Sequence, residues 1–124
     1  MAKNILVIDD EELITKSLLK LLNGQGYNTT VAKSGAEALN KVKEIDFDLV
    51  ISDIRMPEPD GIEVVKQIRH ELEKSNKRLI PEVLITGYAD KEKYEAAMDL
   101  KVADYLYKPF DKDELLRIIK KAIG

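Results

Sequence analysis

Ile5-Leu-Val-Ile8-Asp9-Asp10, four apolar side chains followed at once by two carboxylates, is the stretch on which the reading of this chain turns. An unbroken apolar run with no polar residue alternating suits a central strand of a parallel sheet, buried on both faces. The pattern returns at Leu49-Val-Ile51, ending in Ser52-Asp53, and at Val83-Leu-Ile85, ending in Thr86. Between these runs the spacing becomes helical. Leu13, Ile14, Leu18, Leu21 and Leu22 recur up to Asn23-Gly24, and Ala38, Leu39 and Val42 follow the capping box Ser34-Gly-Ala-Glu37. Ile62, Val64, Val65, Ile68 and Leu72 form a third stripe, after a Met56-Pro-Glu-Pro-Asp-Gly61 segment whose prolines remove donors and whose glycine marks a turn.

Thr29 to Ala32 reads as a short second strand and Val102 to Tyr107 as a fifth. Asp90 can cap a helix through Tyr94, Ala97 and Met98. Asp111-Lys-Asp-Glu114 is a second capping box, opening a helix that carries Leu115, Leu116, Ile118, Ile119 and Ala122. Five strands alternate strictly with five helices, the pattern of an α/β domain with a parallel sheet. The expected fold is flavodoxin-like: a doubly wound five-stranded parallel sheet of order 2-1-3-4-5, with residues 1–124 as one domain. A polar segment, Glu73 to Arg78, and then Pro81 separate the third helical stripe from the next apolar run.

The composition excludes several classes of function. The 124 residues hold no cysteine, which removes disulfide scaffolds, thiol nucleophiles and cysteine-ligated metals. No apolar run approaches the length of a membrane span or of a signal peptide's apolar stretch, so a cytoplasmic protein without a membrane partner is expected. The net charge is −3, and residues 1–61 carry 11 acids against 7 bases. No basic stripe of the kind that binds nucleic acid is present.

Ligands of an open parallel sheet bind beyond the carboxyl ends of its strands. The residues placed there are Asp9 and Asp10, Asp53, Thr86 and Lys108. Singly, each has an ordinary explanation: an acid at a helix start caps free N–H groups, and a threonine or lysine is usually structural or solvated. Asp53 has no helix to cap in Ile54-Arg-Met-Pro57. If the first and third strands are neighbours, the three aspartates crowd together, which only a cation resolves. Oxygen ligands without His or Cys point to Mg²⁺ or a similar hard ion, which favours waters and a phosphate in its remaining positions. Lys108 and Thr86 would complete a clamp for phosphoryl transfer.

Together these residues resemble the receiver domains of two-component response regulators, of the chemotaxis-regulator type. The resemblance spans the chain and rests on Val7-Ile-Asp-Asp-Glu11, Asp53-Ile-Arg-Met-Pro57, Asp60-Gly61, Thr86 and Lys108-Pro-Phe110. It implies that Asp53 is the phosphoacceptor, taking a phosphoryl group from a sensor histidine kinase or histidine phosphotransfer protein. It implies further that Asp9, Asp10, Asp53 and the carbonyl of Arg55 hold Mg²⁺, with Mn²⁺ able to substitute. Lys108 would bind the phosphoryl group and Thr86 and Tyr105 would form a switch pair. The Lys108–Pro109 bond would be cis. The output partner would meet the fourth helix, fifth strand and fifth helix, around Tyr94, Tyr107 and Arg117, although ordinary packing is the leading reading of both tyrosines. Dimerisation on phosphorylation is common in that family. Such a domain is not a turnover enzyme and would not itself bind nucleic acid.

Arg55 and Tyr88 occupy positions that tune dephosphorylation in that family, while His70 reads as a solvated helix residue. A flavin- or nucleotide-binding protein of the same architecture would need a Gly/Ser/Thr-rich loop after the first strand, where Asp9-Asp-Glu-Glu12 would repel phosphate. An aspartyl phosphatase would want a second acid two residues beyond its nucleophile, the position held by Arg55. The third alternative is an interaction module that has lost phosphorylation.

Overall fold

The computed structural model describes residues 2–124. The chain runs β1 (Asn4–Ile8), α1 (Glu12–Gly24), β2 (Asn28–Ala32), α2 (Gly35–Glu44), β3 (Leu49–Asp53), α3 (Gly61–Lys74), β4 (Glu82–Thr86), α4 (Lys91–Asp99), β5 (Asp104–Tyr107) and α5 (Lys112–Ile123). All strand pairings are parallel and the order is β2-β1-β3-β4-β5, as the sequence predicts.

The continuous apolar runs are explained by the two covered faces. Ile5 and Val7 of β1 join Ile51, Val83 and Ile85 beneath α1 and α5, against Leu18, Leu22, Leu115 and Ile119. Leu6 and Ile8 point the other way, into a layer with Val50 of β3, Val42 of α2, and Val64 and Ile68 of α3. A smaller cluster beneath α3 and α4 contains Ile54, Ile62, Val65, Leu84 and Ala97.

Register fixes the chemistry. Ile8 pairs with Ser52, which brings Asp9 alongside Asp53 at the carboxyl edge of the two central strands.

The structure corrects several local expectations. Leu13 is 82% exposed, because a helix turns about 100° per residue and the position falls outside the stripe of Ile14, Leu18 and Leu22. β5 begins at Asp104 rather than Val102, since the preceding residues turn the chain out of α4 with Lys101 at φ 57°. Gly61 is the first residue of α3, with Asp60 as its N-cap accepting from Glu63 N–H at 3.0 Å. A β-carbon at Gly61 would lie 2.4 Å from the Asp53 carbonyl oxygen and 2.7 Å from Ile54 Cα, so the close approach of two backbones requires glycine there. The Asp111 side chain accepts from Asp113 rather than Glu114. The polar segment before Pro81 is used partly as helix: α3 continues to Lys74 and stops where Asn76 takes φ 57°.

One buried charge pair ties α3 to the sheet. Arg69 on α3 makes a bidentate bond to Glu82 at the start of β4, with both N–H···O distances 2.8 Å and Glu82 buried. Arg69→Ala should cost about 3 kcal/mol by leaving a buried carboxylate unpaired, whereas the paired change Arg69→Met with Glu82→Leu should cost far less. Urea unfolding of the three proteins checks this. Equal losses in the single and double variants would mean that the pair's geometry contributes nothing beyond packing.

Candidate functional site

Three strand ends and the loop after β5 supply the site. Asp9, Asp10 and Asp53 each present a carboxylate oxygen, and these atoms lie within 4.8 Å of one another. Asp9 and Asp53 are buried, at 3% and 5% exposure, while Asp10 faces solvent. Lys108 reaches across from the β5–α5 loop, its Nζ 3.4 Å from both Asp9 Oδ2 and Asp53 Oδ2 and 3.7 Å from Glu11 Oε1. The Lys108–Pro109 bond is cis, as expected, and a second cis bond precedes Pro59.

Asp9 serves two purposes. Its Oδ1 accepts the Glu11 N–H at 2.9 Å, closing the entry to α1, while Oδ2 faces Lys108. Asp9 is thus not the helix cap, since Glu11 is the N-cap and has no side-chain cap bond; one Asp9 oxygen closes the turn ahead of α1 and the other is left for the cleft.

The electrostatics follow from counting. Three carboxylates, those of Asp9, Asp53 and Glu11, lie 3.4–3.7 Å from one ammonium, and Asp10 adds a fourth negative charge beside Asp9 and Asp53. Burial, followed by the charge on Asp9, pushes the Asp53 carboxyl up to about 6; Lys108 opposes the rise and Asp10 adds to it. Burial likewise raises Asp9, against the pull of the Glu11 N–H and of Lys108. Burial works against the Lys108 ammonium too, but the charges of Asp53 and Asp9 outweigh it and hold its pKa above the ordinary lysine value. An all-oxygen cluster of buried, mutually repelling carboxylates suits a hard divalent cation, whose charge removes the repulsion that burial has magnified.

The cleft is open, about 290 Å³ in volume, and is lined by Asp10, Glu11, Asp53, Arg55, Gly87, Tyr88 and Lys108. Arg55 lies exposed on its rim with the guanidinium carbon 3.9 Å from the centre of the Tyr88 ring, a cation–π contact that no sequence spacing announces. Glu11 also enters the site without having been singled out as a site residue.

Thr86 sits at the end of β4, and its hydroxyl is engaged by the loop that follows. It accepts from Tyr88 N–H at 3.2 Å, and the residue lines a neighbouring cavity of about 320 Å³ with Asp60, Asp90 and Lys93. Tyr105 packs edge-on between Tyr94 and Tyr107, at centroid distances of 5.2 and 5.3 Å. Its hydroxyl is buried without a hydrogen-bond partner, and burial raises its pKa. Tyr94 and Tyr107 are 42% and 45% exposed, so each both packs on Tyr105 and presents surface. Arg117 and His70 are exposed.

The comparisons with known proteins agree with one another. Residues 5–120 match the response regulator receiver domain. The chain is 41% identical over 121 residues to the transcriptional regulatory protein ZraR of Escherichia coli (strain K12), covering 98% of this chain and 26% of that protein. It is 39% identical over 119 residues to the regulatory protein AtoC of the same organism, covering 96% of this chain and 25% of that one. It thus spans about a quarter of the length of these curated relatives. Among solved structures, the chemotaxis protein CheY4 of Vibrio cholerae superposes with a TM-score of 0.88 at 30% identity, covering 98% of this chain and 99% of that one. A receiver domain protein from Methanospirillum hungatei JF-1 gives 0.89 at 28% identity, covering 99% of this chain and 94% of that one.

The raised Asp53 pKa has a measurable consequence. The unfolded carboxyl has the ordinary value of 3.8, so between that value and about 6 the native state binds the extra proton and stability falls as pH rises. In Mg²⁺-free buffer at about pH 7, Asp53→Asn should therefore be more stable than wild type, by on the order of 1 kcal/mol or roughly 3 °C in Tm. The difference should shrink on acidification toward about pH 4. Thermal melts across that range check both; a less stable variant at neutral pH would show that the carboxylates are not in conflict.

Proposed function

Because this chain belongs to the response regulator receiver domain family, a family of signalling domains rather than substrate-turnover enzymes, we propose that Asp53 is its phosphoacceptor and that residues 1–124 form one receiver domain. The observation that carries the reading is the clustering of Asp9, Asp10 and Asp53 at the carboxyl edge of the sheet, with Lys108 3.4 Å from both Asp9 and Asp53. Near neutral pH the Asp53 carboxyl is mostly ionised and so is a competent nucleophile. Its oxygen attacks the phosphorus of a phosphohistidine on a sensor kinase or phosphotransfer protein. The O–P bond forms as the N–P bond breaks, and the departing imidazole takes up a proton from water. Hydrolysis by water returns the carboxylate.

Asp9, Asp10, Asp53 and the Arg55 carbonyl would hold Mg²⁺, or Mn²⁺ in its place, and the ion would neutralise charge on the transferring oxygens. Lys108, already between Asp9 and Asp53, offers the transferred group a fixed ammonium at the same rim. The open cleft beside Gly87 admits a donor side chain.

Signalling then follows from charge. A phosphoryl group adds about −2 and three acceptor oxygens beside β4. The Thr86 hydroxyl, engaged here with the Tyr88 backbone, gains a stronger acceptor by turning toward Asp53. Tyr105, with its buried, unpartnered hydroxyl, responds to the rearranged β4–α4 segment. A differential interaction of roughly 3–5 kcal/mol is enough to make a minor conformer dominant. The readout surface is α4, β5 and α5, where Tyr94, Tyr107 and Arg117 are presented to an output partner or a second copy. No helix among the described residues is long and apolar enough to cross a membrane, in keeping with a cytoplasmic site of action.

Incubation with Mg²⁺ and acetyl phosphate should add one acid-stable, base-labile phosphoryl group per chain, detected by intact mass. Asp53→Asn should remain unmodified, and modification persisting in that variant would place the acceptor elsewhere. In a separate titration, the Mg²⁺-dependent rise in Tm should be lost in Asp10→Ala. An unchanged metal response there would remove Asp10 from the ligand set.

A further inference from the structure

α4 is the least anchored helix of the fold. Among its described residues only Ala97 is buried, whereas α3 buries six and α5 seats Leu115 and Ile119 fully. An amphipathic surface helix ordinarily holds its place through an apolar stripe, and α4 has little of one. Its position therefore depends unusually on polar contacts.

One such contact stands out. Lys93, in the first turn of α4, places its ammonium 2.5 Å from Asp60 Oδ2. Asp60 is the N-cap of α3, and its other oxygen accepts the Glu63 N–H at 3.0 Å. The side chains of Asp60 and Lys93 are 21% and 40% exposed, so the pair is partly shielded from solvent. Burial opposes the Asp60 charge, but the Lys93 bond and the Glu63 N–H outweigh it and hold Asp60 below the usual carboxylate range. The other acids near Lys93 are already engaged. Glu63 pairs with Lys66 at 3.4 Å, and Asp90 Oδ1 accepts the backbone N–H of Lys93 itself.

The pair joins two regions that the signal must connect. Asp60 adjoins Gly61, whose N–H donates to the Ile54 carbonyl at 2.9 Å and which has no room for a side chain against the Asp53 backbone, so this corner is closely coupled to the end of β3. Lys93, Asp60 and Thr86 line the same cavity. The contact is present with the Thr86 hydroxyl engaged by the Tyr88 backbone, and so belongs to that arrangement of β4 and α4.

We propose that the Lys93–Asp60 ion pair is an electrostatic tether that holds α4 in its resting position against the α3 N-terminus, and so sets the threshold for switching. The proposal rests on the phosphoacceptor reading for its signalling consequence. The tether itself is testable without any phosphodonor.

Amide hydrogen exchange of the metal-free, unphosphorylated protein reads it directly. Lys93→Gln should speed exchange of the α4 amides about five- to tenfold while leaving those of α1 and α5 unchanged, and Lys93→Arg should restore most of the protection. Asp60→Asn, which keeps a capping oxygen, should reproduce the Lys93→Gln effect, and the double variant should add nothing further. Raising the salt concentration should loosen α4 in wild type and not in Lys93→Gln. Unchanged α4 exchange in Lys93→Gln, or full additivity of the two single changes, would overturn the tether. Acetyl phosphate labelling of Lys93→Gln separates the two ideas. Normal labelling with unchanged α4 exchange would defeat the tether alone, while loss of labelling on Asp53 in wild type would defeat the phosphoacceptor reading alone.

Discussion

The structure is organised around a repulsion. Two buried aspartates and one exposed neighbour are brought within 4.8 Å by the pairing of β1 with β3, and one lysine balances part of their charge. Desolvation makes the conflict worse than it would be in water, which is why the Asp53 carboxyl is displaced to about 6. The hydrophobic sheet beneath stabilises the fold enough to keep the acids together. Ile5, Leu6, Val7 and Ile8 are essentially inaccessible, and so are Leu49, Val50 and Ile51. A net-negative cluster built this way is chemically suited to a divalent cation, whose charge offsets the repulsion among the acids.

The surroundings translate that strained charge balance outward by contacts of graded stiffness. The β3–α3 corner is rigid, since Gly61 lies against the Asp53 backbone with no room for a side chain. α3 is fixed to β4 by both its apolar face and the buried Arg69–Glu82 pair. β4 ends in Thr86, whose hydroxyl has a local partner it can exchange. α4 is held loosely, with one buried residue of those described and a partly exposed ion pair. Stiff elements next to Asp53 and a weakly anchored helix beyond it let a small change in free energy move one element without unfolding its neighbours.

Several of these features were legible before any coordinates. Uninterrupted apolar runs ending in Asp9, Asp53 and Thr86 announce central parallel strands and the edge at which chemistry collects. Ser34 and Asp90 cap the helices they were expected to cap. Other features were hidden because they depend on which faces meet. Glu82 reads as a polar residue ahead of a strand, yet it is buried, because Arg69 from the overlying helix neutralises it. Asp60 and Lys93 are separated by 33 positions, and Arg55 and Tyr88 also lie on different loops, so no local pattern pairs them. Leu13 belongs to an apolar-looking stripe and is nonetheless solvent-facing, a matter of helix phase relative to the sheet.

The alternation of strands and helices, the parallel sheet and the set of residues at the strand ends follow from the order of the residues. Periodicity and burial are properties of short segments, and a strand's last residue is placed by its own apolar run. How those residues act on each other is a matter of packing: Asp9 divides its oxygens between a helix entry and the cleft, Lys108 lies equally near two carboxylates, and the Thr86 hydroxyl is held by the Tyr88 backbone. Distances, desolvation and side-chain direction arise from packing between segments remote in the chain, and Coulomb energies at 3–5 Å change too steeply with separation to be read from spacing alone.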